Sequence, residues 1–364
     1  MKKESTNNRT VLSAKGGGDS PQKKTNISSV KFQRVFWFSV ILLIFTFVTS
    51  LALGRYAIPF DETVRILLSK LHLSLNQTWN SLQEAVVVTL RLPRAIAAVV
   101  IGAALALSGA TYQSIFKNPM VSPDLLGVSA GACVGAATAM LLGMGGVMIQ
   151  VFAFAAGLGA VAITIAIPRL IRNKSTVVLV LAGIVVGSLM GSILNIIKFV
   201  ADTDSTLAEI TYWTMGSVAT VSFDKMVPVL PTIIIPAVII LLMRFRLNVL
   251  SLGDNEARTL GINIQKTRNL FIICSTLITA SCVCMSGTIG WVGLVIPHVA
   301  RMMIGPDNKR MLPVAMIFGG IFLLLIDTLC RTITAAELRL GILTGIIGAP
   351  FFIFILLKQR RSIG

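Results

Sequence analysis

Acidic residues and histidines are scarce in this chain. Its 364 residues include 15 Asp and Glu and two His, against 32 Lys and Arg. Two histidines, His72 and His298, are too few for a His-based metal centre. The five cysteines (Cys133, Cys274, Cys282, Cys284, Cys330) form no CxxC pair and sit in or beside apolar runs. They read as buried thiols rather than disulfides or metal ligands. No G-x-x-x-x-G-K-[ST] stretch exists, so the chain does not bind ATP by a P-loop. No nucleophile–base pair stands out, and no series of buried carboxylates of the kind a proton- or sodium-coupled carrier needs. These absences argue against an enzyme, a catalytic residue, a bound metal, a cofactor and a secondary transporter.

What is present is hydrocarbon. Hydrophobic residues make up 55% of the chain and charged ones 13%, with a mean hydropathy of +0.84. A soluble domain carries roughly twice that charged fraction. The chain reads as an all-α polytopic membrane protein. Its net charge of +17 does not point to nucleic acid, because no basic face with interleaved aromatics occurs. Residues 1–34 are polar and cannot build a core, so they read as a disordered tail, with residues 35–364 as one transmembrane domain. The apolar run 35–53 is too long for a signal-peptide core and reads as an uncleaved first span. Nine more are expected near 93–113, 123–143, 147–168, 177–199, 226–244, 269–286, 290–304, 312–330 and 340–357. About ten spans put both termini on one side. Lys and Arg concentrate on that side, including Arg169, Arg172, Arg244, Arg246, Lys266 and Arg268. The positive-inside rule then makes both termini cytoplasmic.

The stretch 252–270, LGDNEARTLGINIQKTRNL, is the long polar run of the second half. Its charges must lie in water. Asp254 suits an N-cap, Glu256 and Arg258 follow within a short helix, and Gly261 suits its end. On composition this is either a solvated loop or a knob that docks a soluble partner. Glycines recur every fourth residue at Gly127, Gly131 and Gly135, at Gly183, Gly187 and Gly191, and at Gly341 and Gly345. That spacing predicts close helix packing. Asn195, Gln113 and Asp327 are the main polar positions inside spans. Asp327 stands four residues before Arg331, near a span end, and is expected to pair with it at the surface.

Six ordered blocks carry a family resemblance. They are Arg91-Leu92-Pro93-Arg94; GAALALSGATYQSIFKNPMVSPDLLGVSAGA (102–132); Tyr212-Trp213-Thr214-Met215-Gly216-Ser217; LGDNEARTLGI (252–262); SGTIGWVGLVIPHVAR (286–301); and ELRLGILTGIIGAPFFIFIL (337–356). Together they make the chain similar to the permease subunits of iron-chelate and cobalamin (FecCD-type) ABC importers. The resemblance implies a bacterial, multi-pass cell-membrane protein. A second permease copy, identical or a close paralogue, would complete the pathway. A cytoplasmic ABC ATPase dimer would dock below, and an extracytoplasmic binding protein would deliver cargo from above. Lipid is the surrounding partner and nucleic acid is not one.

By the same resemblance, Asp254, Glu256, Arg258 and Gly261 belong to the ATPase-coupling loop. Arg91, Arg94 and Arg331 match outward arginines that dock the binding protein. The plainer reading of Arg91 and Arg94 is interfacial anchoring of a helix start. Asn118, Pro119 and Met120, with Ser175 and Thr176, match the cytoplasmic gate; an ordinary turn and a helix cap are their bland readings. His298 reads as a structural hydrogen-bonder at a helix break. The family usually has proline where Arg339 stands in Glu337-Leu338-Arg339. Either this mouth is more flexible, or Arg339 joins Arg331 at the docking entrance and tunes it for an anionic cargo or an acidic binding protein. Ferric siderophores are the expected cargo, with cobalamin and haem next. A channel or structural subunit without an ATPase is the alternative of another class.

Overall fold

The computed structural model describes residues 21–70, 77–173, 175–252, 254–334 and 336–360. The first twenty residues of the polar tail, His72, Lys174 and Gly253 lie outside the described residues. The described residues are helices and connections, with no strand among them.

Helix α1 (Pro21–Ala52) extends through 21–34, so the helix begins within what composition alone reads as a tail. No proline follows Pro21 before its end, and a helix once nucleated propagates cheaply through polar residues. α2 (Phe60–Lys70) and α3 (Ser81–Ala85) fill the polar stretch before the second span. Asn80 caps α3, and Gln83 bonds back in a reciprocal capping box. A π-helical stretch, Val86–Arg91, then runs into α4 (Leu92–Ile115).

The expected span 123–143 is broken. Pro123–Leu126 form a 3₁₀ turn, and α5 (Val128–Leu141) begins only after Gly127 at φ +79°. Proline removes a helical donor and a left-handed glycine ends the turn, so one span becomes a bend plus a short helix. α6 (Gly146–Leu170) and α7 (Thr176–Val200) are full length. α8 (Thr206–Thr214) and α9 (Phe223–Met226) are short. α10 (Leu230–Leu242) bends by 58° into α11 (Arg244–Leu252), which leads to α12 (Asp254–Thr259). α13 (Ile264–Ser286), α14 (Val292–Ile304), α15 (Asn308–Ile333) and α16 (Leu340–Arg360) complete the chain. Six helices are long and apolar enough to cross a membrane. The bent α10–α11 pair would make a seventh, and three shorter apolar helices lie at Val128–Leu141, Val292–Ile304 and Leu340–Ile355.

α4 is the centre, packed against α15, α13 and α14. About 78% of its most apolar window is buried, against 17% for α7. Contact along α4 depends on absent side chains. A Cβ at Gly102 would strike the carbonyl of Gly319 on α15, and one at Gly109 would strike that of Gly293 on α14. Most polar side chains inside the core bond to backbone or to each other; the Ser275 hydroxyl has no hydrogen-bond partner among the described residues. The Ser108 hydroxyl donates to Ser275 O at 3.0 Å, and Tyr112 OH lies 2.8 Å from the Thr276 hydroxyl. These pairs run antiparallel, so the end of α4 meets the start of α13. That sets two ends of the bundle: the α12 end, and a rim end carrying Arg91.

The glycine periodicity is only half used. Gly131 and Gly135 press on α6, Gly183 on Leu125, and Gly341 on Met215. A Cβ added at Gly187 or Gly191 would meet nothing within 4 Å, although the Gly187 backbone lies beside Gly127. The tightest helix approach, Gly109 on Gly293, falls outside that pattern, while those of Gly135 on Phe152 and Gly183 on Leu125 fall within it.

Candidate functional site

At the rim end, the arginines read as docking residues are engaged within the chain. Arg91 donates from Nη1 to Leu51 O (2.7 Å) and Ala52 O (2.9 Å), and from Nη2 to Tyr56 O (2.6 Å). Arg331 donates to Leu53 O at 3.0 Å, to Ser50 O, and to the Ser50 hydroxyl at 2.7 Å. Both guanidiniums therefore satisfy carbonyls at the C-terminal end of α1, which helical bonding leaves open. Arg94 holds Asp327 with Nε at 2.9 and 3.1 Å and Glu337 with Nη1 at 3.0 Å. The expected Asp327–Arg331 pair forms, with Arg331 Nε 3.5 Å away, but its surface placement is corrected: Asp327 is 1% exposed, and its shorter bonds go to Arg94. A carboxylate that deep requires more than one cation and direct hydrogen bonds. Arg94 stands 233 residues away in sequence, and local spacing carries no signal for it.

Arg339 differs from these three. Half-buried, it lies over the Tyr212 ring at 4.9 Å and lines a cavity of about 380 Å³ with Glu209, Lys225, Gln150 and Trp213. Three of the sequence blocks meet beside this cavity. Leu340 N donates to Gly216 O (3.0 Å), Gly341 N to Met215 O (3.0 Å), and Ser217 N to Ser286 O (2.7 Å). The Thr288 hydroxyl donates to Thr214 O at 2.5 Å. Helix ends that cannot bond internally bond to one another here. Trp291, at φ +72°, closes this junction and faces Phe352 of α16 edge-on.

At the opposite end α12 forms a short projecting helix. Ala257 is fully buried while Glu256, Arg258, Thr259, Leu260 and Gly261 are exposed. Gly261 sits at φ +73° and its N–H closes on Arg258 O at 3.0 Å, while Ile262 N reaches Ala257 O at 3.2 Å. That is a left-handed C-terminal stop, as the sequence suggests. Asp254 occupies the first position of α12; its side chain lies outside the described residues. Asn263 then caps α13 through Lys266 N at 3.0 Å.

Two residues that the sequence did not single out fix this knob. Asn248 on α11 donates to Asp307 Oδ1 (2.6 Å) and accepts from Asn308 N (2.8 Å). Asn308 accepts from Ser114 on α4 at 2.9 Å. A continuous polar path thus joins α11, the start of α15 and the core helix α4.

The residues matched to the gate fall on loops at the same end. Asn118 Oδ1 accepts from Met120 N at 2.9 Å, and Met120 is exposed. Ser175 caps α7 through Val177 N at 3.2 Å. Both bland readings, a turn and a cap, hold as local geometry. Pro119 stands between Asn118 and Met120 in that turn, and Thr176 opens α7. Between core and loop, Gln113 donates to Leu294 O (3.1 Å) and accepts from Arg301 (3.3 Å). His298 is corrected in one respect. α14 passes through Pro297 without a break, and the buried His298 ring lies edge-on to Phe352. The helix break lies earlier, at residues 287–291. Asp124, which accepts from the Ser129 hydroxyl in the 3₁₀ turn, also escaped the sequence reading. All five cysteines are buried and free.

Comparison with known proteins gives this arrangement its family. The FecCD transport family model matches residues 42–358. The chain belongs to the FecCD transport family. The molybdate import permease MolB of Haemophilus influenzae is 34% identical over 333 residues, 91% of this chain and 97% of that one. A probable iron chelatin permease of Helicobacter pylori is 37% identical, covering 86% and 95%. A solved inward-facing structure, assigned to the metal-chelate type of ABC transporter, superposes with a TM-score of 0.80 at 34% identity over 90% of this chain and 99% of that one. The FecCD protein is therefore a multi-pass cell-membrane permease subunit of an ABC importer. In such importers ATPase activity lies in separate subunits, and a binding protein supplies the cargo.

Proposed function

We propose that this permease passes an anionic iron chelate, a ferric siderophore or one like it, from an external binding protein to the cytoplasm. The observation that carries the reading is the rim cavity, where Arg339 and Lys225 face a single carboxylate, Glu209. Cationic walls favour an anionic cargo or an acidic partner at this mouth. The molybdate permease among the relatives supports a smaller oxyanion as second reading. Cobalamin and haem remain in the test panel.

The chain crosses the membrane ten times in this proposal: the six long helices, the bent α10–α11 pair, and α5, α14 and α16. The α12 end is cytoplasmic, with both termini. α12 (Asp254, Glu256, Arg258, Gly261) seats in the ATPase, and the Asn248–Asp307–Asn308–Ser114 path carries its displacement to α4. The loops Asn118–Met120 and Ser175–Thr176 close the cytoplasmic exit. Arg339 meets the binding protein or its cargo, while Arg91, Arg94 and Arg331 hold the rim that presents it. A second copy covers α7, whose exposed face carries Ser188, Ser192 and Asn195 among apolar residues. Polar groups of this kind are better placed against a helix than against lipid.

The test is uptake of labelled ferric siderophores, haem, cobalamin and molybdate in cells lacking the gene, complemented with wild type or Arg339→Glu. Energy-dependent rescue of one ligand by the wild type names the cargo. Rescue of cobalamin alone, which carries no such negative charge, would sink the anionic reading. Currents without ATP would establish a channel instead.

A further inference from the structure

Three arginines at the α12 end share one cavity. Arg169 belongs to the last turn of α6, Arg172 to the turn that follows, and Arg268 to the first turns of α13. They line a space of about 450 Å³ between α6, α7 and α13. Among the described residues no Asp or Glu lines it. Its remaining polar wall is made of amides and hydroxyls, and its floor is apolar, with Phe116, Leu179 and Ile272. The helices α7 and α13, of 25 and 23 residues, both begin beside it, so their positive dipole ends add to the same potential.

The positive-inside rule accounts for arginines on this side of a membrane. It does not gather three of them around one cavity with no Asp or Glu among its described lining residues. Arg310 and Lys309, at the same end, lie outside this cavity. Arg310 has Asp307 at 3.8 Å, and Lys309 lies over the Phe245 ring at 4.6 Å. A guanidinium cluster with planar donor forks, helix N-termini and an adjoining apolar floor suits a phosphate group joined to something oily.

We propose that this cavity binds a phosphate-bearing anion at the membrane surface. The headgroup of an anionic phospholipid would place its phosphate among the arginines and its acyl chain along the floor. Free phosphate from solution would use the same donors without the floor. Either occupant bridges the α6–α7 turn, which ends at Ser175, to the start of α13 just beyond α12. The bound anion therefore ties the turn before α7 to the helix that follows the knob. The site shares no lining residue with the rim cavity, but Ser175 and Thr176 of the proposed exit loop line it.

The test uses the full purified chain in a neutral detergent. Its thermal unfolding midpoint is followed with dioleoylphosphatidylglycerol, with dioleoylphosphatidylcholine, and with inorganic phosphate, and bound lipid is counted by native mass spectrometry. The Arg169→Gln/Arg172→Gln double variant changes two exposed residues and leaves the core alone. Arg268→Lys keeps the third charge, and Arg310→Gln serves as a control at the same end. Phosphatidylglycerol, but not phosphatidylcholine, is expected to stabilise and co-purify with the wild type. Affinity should fall about fivefold for each arginine removed, while Arg310→Gln stays at the wild-type value. Stabilisation by the lipid alone assigns the source to the membrane, and stabilisation by inorganic phosphate alone assigns it to solution. Equal responses from wild type and double variant overturn the proposal. So does an equal loss in Arg310→Gln, which marks general surface attraction, or stabilisation by neither probe.

Discussion

At the rim end, Arg91, Asp327 and Arg331 are buried and Arg94 is partly so, and each is bonded to another of the group, to Glu337, or to a carbonyl at the end of α1 or just beyond it. At the α12 end, Glu256, Arg258, Arg169 and Arg172 stand exposed, and short polar links such as Asn248–Asp307 hold the backbone beneath them. The same residue types thus lock one end and present the other. A desolvated charge must be compensated on the spot, whereas a solvated charge is available to a partner. Arginine sequence motifs on a permease rim therefore divide by burial into those that build the mouth and those, such as Arg339, that face its opening.

Removing Asp327 is the hardest test of this contrast. Asp327→Ala leaves buried Arg331 without its carboxylate and Arg94 with Glu337 alone, and a cost of ~3–5 kcal/mol is expected. It should appear as poor yield and early thermal unfolding of detergent-extracted protein. Wild-type stability would mean that the rim is wetter than its geometry. Overpacking the core is next: Gly109→Val forces α4 off Gly293, and a loss of about 1–3 kcal/mol or more is expected by the same assay.

The α12 end should respond in coupling as well as in stability. Asn248→Ala removes two hydrogen bonds between α11 and α15, for about 1–3 kcal/mol. In membrane vesicles with the ATPase present, hydrolysis should continue while uptake falls. Parallel loss of both would reduce the polar path to simple support. Gly261→Pro and Glu256→Arg are expected to insert normally and to uncouple hydrolysis from uptake; unaltered transport in both would make α12 only a loop. The smallest stability effect belongs to Arg339→Glu, within about 0.5 kcal/mol for a substitution outside the core. Its effect should instead be weaker, more salt-sensitive docking of the binding protein.

Much of the fold was legible because hydrocarbon imposes length and punctuation. The positions of the six long apolar helices, the glycine stop at Gly261 and the buried cysteines follow from runs, turns and caps along the chain. The break at Pro123 and Gly127 was written in the sequence as well, but apolar length outvoted it. The Arg94–Asp327 and Asn248–Asp307 pairs had no local signal, since partners far apart in sequence meet only after helices pack. Membership of the FecCD family was legible from six ordered blocks, although the blocks do not state why they recur. In the folded chain, three of them form one backbone junction around residues 214–217, 286–288 and 340–341.

By itself, then, the sequence determined that this is a helical membrane protein with a polar knob between apolar runs, because hydropathy and helix termini are local properties. The tertiary structure decided which arginines are spent inside the rim, which glycines are contacts, and which three cations share a cavity. Burial and long-range pairing arise only when helices distant in sequence come together.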